Sequence, residues 1–191
     1  MNKSKFVAFL IGLTGFAAGA PAAAQSLYFG GSIGNSEAHQ DACAGAPRLC
    51  DRSDTSWSGN LGFMFTRNWG VELAYRDMGK VLEQDDSAGN TAQWKTKSGE
   101  AVVVGAFPIE KVSLYGKLGG YYAKTKMTSS GFLADAESKT RQWTYGVGIR
   151  YDVFRHLALR AEWQRYNNVG GNAVGFRADV NVLSGGLLIV F

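Results

Sequence analysis

Apolar and polar residues alternate with a period of two along most of the chain beyond residue 25. In "LALRAEWQRY", Arg160, Glu162 and Gln164 fall on one side, with Leu157, Leu159, Ala161 and Trp163 on the other. In "GVELAYRDMG", Glu72 and Arg76 oppose Val71, Leu73 and Tyr75; in "WTYGVGIRYD", Thr144, Arg150 and Asp152 oppose Trp143, Tyr145, Val147, Ile149 and Tyr151. "VSLYGKLGGYY" repeats the scheme, with Ser113 and Lys117 against Val112, Leu114, Leu118 and Tyr122. Alternation of this kind marks strands whose two faces meet different surroundings. It predicts eight strands, at 26–34, 56–65, 69–79, 93–107, 112–125, 139–153, 157–166 and 178–191. Glycine is abundant at 25 residues and proline scarce at 3, which suits an all-β chain punctuated by turns.

The connections alternate in length. "TRN", "PIEK" and "FRH" are short links, whereas polar stretches near 35–55, 80–92, 126–138 and 167–177 are long. Short turns at one end and long loops at the other predict an eight-stranded antiparallel up-and-down transmembrane β-barrel of the outer membrane. Period two alone leaves a second orientation open: a secreted, lipocalin-like carrier with its apolar face inside. Aromatic placement favours lipid outside. Phe65, Trp69, Phe107, Tyr151, Phe154 and Phe191 fall near the short turns, and Tyr75, Tyr122, Trp143 and Trp163 toward the long loops, as two interfacial girdles require. Outward Lys95, Lys97 and Arg165 then lie near the outer interface, within reach of lipid and lipopolysaccharide phosphates.

The terminal "SGGLLIVF" must pair with the first strand if the sheet is to have no edge in hydrocarbon. Leu187, Ile189 and Phe191 then point outward, and Leu188 and Val190 suggest a dry plug at the periplasmic rim. The inferred inner face carries Glu72, Glu100, Asp152 and Glu162 against Arg76, Lys117, Arg150 and Arg160. A barrel of eight strands has room only for side chains, so these charges are expected to pair across the axis. A narrow or gated pore is the alternative use of the same residues.

Composition narrows the rest. Residues 1–24 have the layout of a cleaved signal peptide: Lys3 and Lys5, an apolar run from Phe6 to Ala18, and Ala22, Ala23 and Ala24 before Gln25. Residues 25–191 are then the barrel domain. The formal charge of +4 falls to +2 without the leader, which gives nucleic acid no support as a partner. Export permits a disulfide between Cys43 and Cys50 in the longest loop, contributing roughly 2–3 kcal/mol on the chain-entropy model. The same loop holds His39, Asp41, Arg48, Asp51, Arg52 and Asp54, a candidate surface for an extracellular ligand. No cofactor or metal is indicated. The chain is expected not to be an enzyme, since His39 and His156 sit in loop or turn segments with no defined serine pocket; a lipid-modifying barrel enzyme is the weaker alternative.

"WGVELAYRDMG", "LYGKLGGYY", "LALRAEWQRYNNVG" and the aromatic last strand together resemble the transmembrane domain of the outer membrane protein A family. The likeness spans residues 25–191 and lacks the family's appended peptidoglycan-binding domain. It implies passage by periplasmic chaperones to the barrel assembly machinery, with Leu187, Ile189 and Phe191 in the recognition signal. It also implies a lumen blocked by a carboxylate on the third strand and an arginine on the seventh, here Glu72 and Arg160. Family members offer that pair alternative partners late on strands four and six. Val104 and Arg150 stand at those positions, which speaks against a partner-swapping gate.

Overall fold

The computed structural model describes residues 25–39, 50–51, 53–85, 91–129, 136–171 and 176–191. The expected leader and Cys43 lie outside these residues. Eight long strands account for nearly all the rest: β1 Ser26–His39, β2 Ser53–Met64, β3 Trp69–Asp85, β4 Thr91–Ile109, β5 Val112–Ser129, β6 Ala136–Phe154, β7 Leu157–Gly171 and β8 Phe176–Val190. A two-residue segment, Cys50–Asp51, pairs with the outer end of β3. Each long strand is antiparallel to the next, and β8 closes on β1 from Tyr28↔Val190 to His39↔Asp179. The fold is the all-β, up-and-down barrel that the alternation predicted.

The short turns define one rim. Thr66 Oγ1 accepts hydrogen bonds from the Asn68 and Trp69 amides at 3.2 and 2.9 Å, and Asn68 Nδ2 donates to the Ala106 carbonyl at 2.9 Å. The β2–β3 turn is thereby latched to β4. At the other end the strands run past their predicted limits: β1 continues to His39 and β7 to Gly171. The reason is visible in β5. Leu114, Leu118 and Tyr122 are exposed on its lower outer face while Lys117 is buried; above Tyr122 the faces exchange character, with Lys124 and Lys126 outside and Ala123 and Met127 buried. β8 does the same, passing from outward Leu187 and Leu183 to outward Asn181 and Arg177 over buried Val182, Val180 and Ala178. A wall leaving hydrocarbon for water should make this exchange, because its outer face becomes wet and its inner face must then bury an apolar core.

The projecting part is shaped by bulges between Asp77 and Leu82 and between Tyr166 and Val169. Gly79 occupies the first with φ of 65°, and a Cβ there would stand 2.6 Å from the Asp54 carboxylate. That carboxylate accepts the Lys80 amide at 2.7 Å, so glycine is needed both for the backbone angle and for the approach.

The interior is layered. Near the short turns, Tyr28, Met64, Ala158 and Leu188 form a small apolar cluster with Val190 against it. The plug expected at that rim is incomplete, because a cavity of about 540 Å³ opens beside it, floored by Glu72, Lys117 and Arg160. The larger apolar core lies at the opposite end, where Met78, Val81, Trp94, Tyr121, Met127, Tyr166, Val169, Val180 and Val182 pack together. Between the two lies the charged layer.

Candidate functional site

Every side chain in the charged layer reaches it by strand parity. Glu72 and Arg76 come from β3, Glu100 from β4, Lys117 from β5, and Arg160, Glu162 and Gln164 from β7, all buried. Four of them close a ring of alternating charge. Glu72 meets Lys117 and, through Oε2, Arg160 Nη1 at 2.8 Å; Glu162 Oε2 meets Lys117 Nζ at 2.7 Å and Arg160 Nη2 at 2.6 Å. Two carboxylates and two cations thus satisfy one another directly, which is the condition for holding charge at low dielectric.

Arg76 extends the ring outward. Its Nη2 lies 3.5 Å from Glu162 Oε1, and its Nε donates to Tyr166 Oη at 2.9 Å. Tyr166 donates in turn to Glu100 Oε2 at 2.7 Å, which also accepts from Gln164 Nε2 at 2.8 Å. Below the ring, Tyr28 Oη donates to Glu72 at 2.8 Å and Tyr115 Oη to Glu162 at 2.9 Å. The Tyr115 ring also lies 5.5 Å from the Arg160 guanidinium carbon and 5.8 Å from Lys117 Nζ. These tyrosines, with Asn60, whose Nδ2 donates to Glu72 Oε2 at 3.3 Å, are absent from the residues that sequence singled out, whereas Gln164 sits on the polar face where the alternation puts it. Parity identifies them, since each shares the inner face of its strand, but an aromatic ring is naturally assigned to the greasy side.

Arg150 and Asp152 correct the expected network. They pair with each other, Arg150 Nη2 to Asp152 Oδ1 at 2.7 Å, and line the open cavity at the periplasmic rim instead of joining the ring. They are two residues apart on β6, near its end, where water is close enough for the pair to stay partly exposed. The second cation on Glu72 comes from β5, as Lys117, and not from β4, where Val104 is buried. Glu72 therefore holds both cations at once.

Outside, the wall is apolar. Leu118, Val147, Ile33 and Leu183 are each more than half exposed, and the lower girdle of Trp69, Phe107, Phe154 and Phe191 is as open. A continuous band of this size does not face water on a soluble monomer. Phe191 donates its amide to the Leu27 carbonyl at 2.9 Å, and its ring stacks on Phe29 with centroids 5.8 Å apart. Leu187 and Ile189 lie exposed on the same face. Of the histidines, His156 Nδ1 lies 3.0 Å from the Val190 carbonyl oxygen, and His39 Nδ1 lies 3.4 Å from Asn181 Nδ2.

Residues 8–191 match the family described as outer membrane protein beta-barrel domain. Outer membrane protein A of Salmonella typhi is 26% identical over 192 residues, covering 97% of this chain and 54% of that protein. The counterpart from Shigella flexneri is 25% identical, with 55% of its length covered, so the chain spans about half the length of these curated relatives. Among solved structures, Neisserial surface protein A has a similar fold, with a TM-score of 0.62 at 14% identity over 86% of this chain and 97% of that one. Ail, the attachment invasion locus protein of Yersinia pestis, gives a TM-score of 0.60 at 19% identity over 88% of this chain and 99% of that one. The ring of buried charge, the lipid-facing wall and the closed eight-stranded sheet are together the interior, exterior and closure of such a barrel: the chain belongs to the outer membrane protein beta-barrel domain family.

Proposed function

We propose that this outer-membrane barrel is a closed structural scaffold that holds four extracellular loops above the membrane for surface interaction or envelope integrity. The protein resides in the outer membrane, as its family does. The carrying observation is the ring of Glu72, Lys117, Glu162 and Arg160 lying beneath an apolar core, which fills the axis with side chains above the periplasmic cavity. An ion crossing it has to break paired buried charges and then pass an apolar layer, both costly steps. Purified protein in planar bilayers is therefore expected to give no stable single-channel current; sustained, uniform openings would contradict the closed scaffold and favour a pore.

A non-enzymatic role fits the placement of the histidines, which engage the Val190 carbonyl at the end of β8 and the Asn181 side chain. Strands that rise beyond the aromatic belt give the loops a rigid base, the usual arrangement for recognition on a fixed frame. Assembly through periplasmic chaperones and the barrel assembly machinery belongs to the same proposal, with Leu187, Ile189 and Phe191 as the signal. Deleting Phe191 removes a ring stacked on Phe29 and an amide bonded to Leu27, at the seam where the sheet closes. The expected outcome is slower appearance of the heat-modifiable folded band in cells, and an unchanged rate and yield would remove the terminal residue from that signal.

A further inference from the structure

We propose that the outer wall of β4, β5 and β6 is a docking site for the phosphorylated headgroup of an outer-leaflet glycolipid, with an acyl chain seated in a glycine-floored trough below. The proposal rests on the membrane orientation argued above. Its first support is an arrangement that a strand pair ordinarily avoids. Lys95 stands directly opposite Lys126, Lys97 opposite Lys124, and Lys124 opposite Lys139. Like charges in register repel, and the wall gains nothing from them unless an anion completes the site.

Arg141 adds a sixth cation one row lower, its guanidinium carbon 5.6 Å from the centroid of Tyr122 in the aromatic belt. Asp77 answers Lys97 at 3.1 Å, and Glu137 answers Lys124 at 2.8 Å and Lys139 at 3.8 Å. Lys95, Lys126 and Arg141 form no ion pair with a described carboxylate. Among the described residues, six cations face two carboxylates, Asp77 and Glu137, the latter also directly opposite Lys126; spread over three rows, they suit a headgroup with more than one phosphate.

The second support is shape. Directly beneath the cations the wall carries a shallow, open depression bordered by Tyr122, Arg141 and Trp143 and floored by Gly99, Ala101 and Gly120. A Cβ added at Gly99 would meet no atom within 4 Å, and one at Gly120 only the Gln142 carbonyl oxygen at 3.8 Å. Strand packing therefore does not require these two glycines; what they create is open space on the hydrocarbon side. An acidic protein in water would use the cations and leave the trough empty, whereas a lipid with an anionic head and a chain occupies both.

The test uses the full chain folded in zwitterionic detergent, with native mass spectrometry counting bound lipid A, and phosphatidylglycerol as the singly charged comparison. Wild type is expected to retain lipid A in preference to phosphatidylglycerol. K95Q/K126Q/R141Q should weaken retention roughly a hundredfold, each cation near an anionic surface contributing about fivefold. G99L/G120L keeps every charge, fills the trough and should weaken retention about tenfold. Heat-modifiable migration in micelles free of lipid A reports folding separately, so a failure of the membrane reading appears there and not in the lipid count. Equal retention of the two lipids by wild type, or unchanged lipid A retention in the folded variants, overturns the site. Loss in the charge variant alone overturns the trough.

Discussion

Replacing Glu72 by glutamine is expected to lower the unfolding free energy of the barrel by about 3–5 kcal/mol, the cost of leaving buried charge without its partner. The substitution preserves volume. It takes away one of the two described carboxylates that meet both Lys117 and Arg160, leaving the ring with two cations and one anion. Glu162 already faces Arg76 as well, so it is not free to compensate. Urea unfolding in lipid vesicles, followed by heat-modifiable migration, measures the loss. Adding Lys117→Met to Glu72→Gln removes the surplus cation and should restore much of it, since an apolar side chain can replace a buried charge at little cost. A Glu72→Gln barrel within about 0.5 kcal/mol of wild type would behave like an ordinary surface variant and would contradict the ring's role.

Leu118→Arg carries the second large effect. Leu118 is 60% exposed on β5, on the outer face between the two aromatic girdles. If that face meets hydrocarbon, an arginine near the midplane costs about 2–4 kcal/mol. If it met water, the same change would fall within about 0.5 kcal/mol, as exposed substitutions do. The vesicle unfolding assay separates the two, and the sign of the lipid dependence comes with it.

Much of this was legible in the sequence, for a definite reason. Within the membrane each strand has lipid on one side and a narrow polar axis on the other, so "LALRAEWQRY" and "GVELAYRDMG" alternate strongly and place Glu72, Arg76, Arg160 and Glu162 inside. Above the aromatic belt that contrast inverts. Lys124 and Lys126 lie outside over Ala123 and Met127, so a reader tracking greasy residues as outward loses the strand where the solvent changes. The apolar core around Tyr166 and Val180 was missed for this reason. Arg150 and Asp152 failed differently: parity put them inside, but height along the barrel left them at the wet rim, able to satisfy each other. Parity says which face a residue takes; it does not say which layer. Tyr28, Tyr115 and Tyr166 show a further limit, because a phenol that caps a buried carboxylate alternates just as a core aromatic does.

The three layers also explain why the ring and the wall depend on each other. Ion pairs gain strength on the axis where water is held back, and here the apolar core above and the closed sheet around them do that on every side but the periplasmic one, where the cavity reaches Glu72, Lys117 and Arg160. The sheet in turn remains closed because its outer face has no competing solvent for backbone groups.

The direct measurement of that orientation is tryptophan quenching in vesicles made from lipids brominated along the acyl chain. Trp57, Trp69 and Trp143 lie more than half exposed on the outer wall, whereas Trp94 is buried in the upper core. Most of the emission should be lost relative to unbrominated vesicles, with a residue from Trp94 surviving. Equal emission in the two lipids from a fully folded chain would mean that the apolar wall does not face hydrocarbon, and the account would fail.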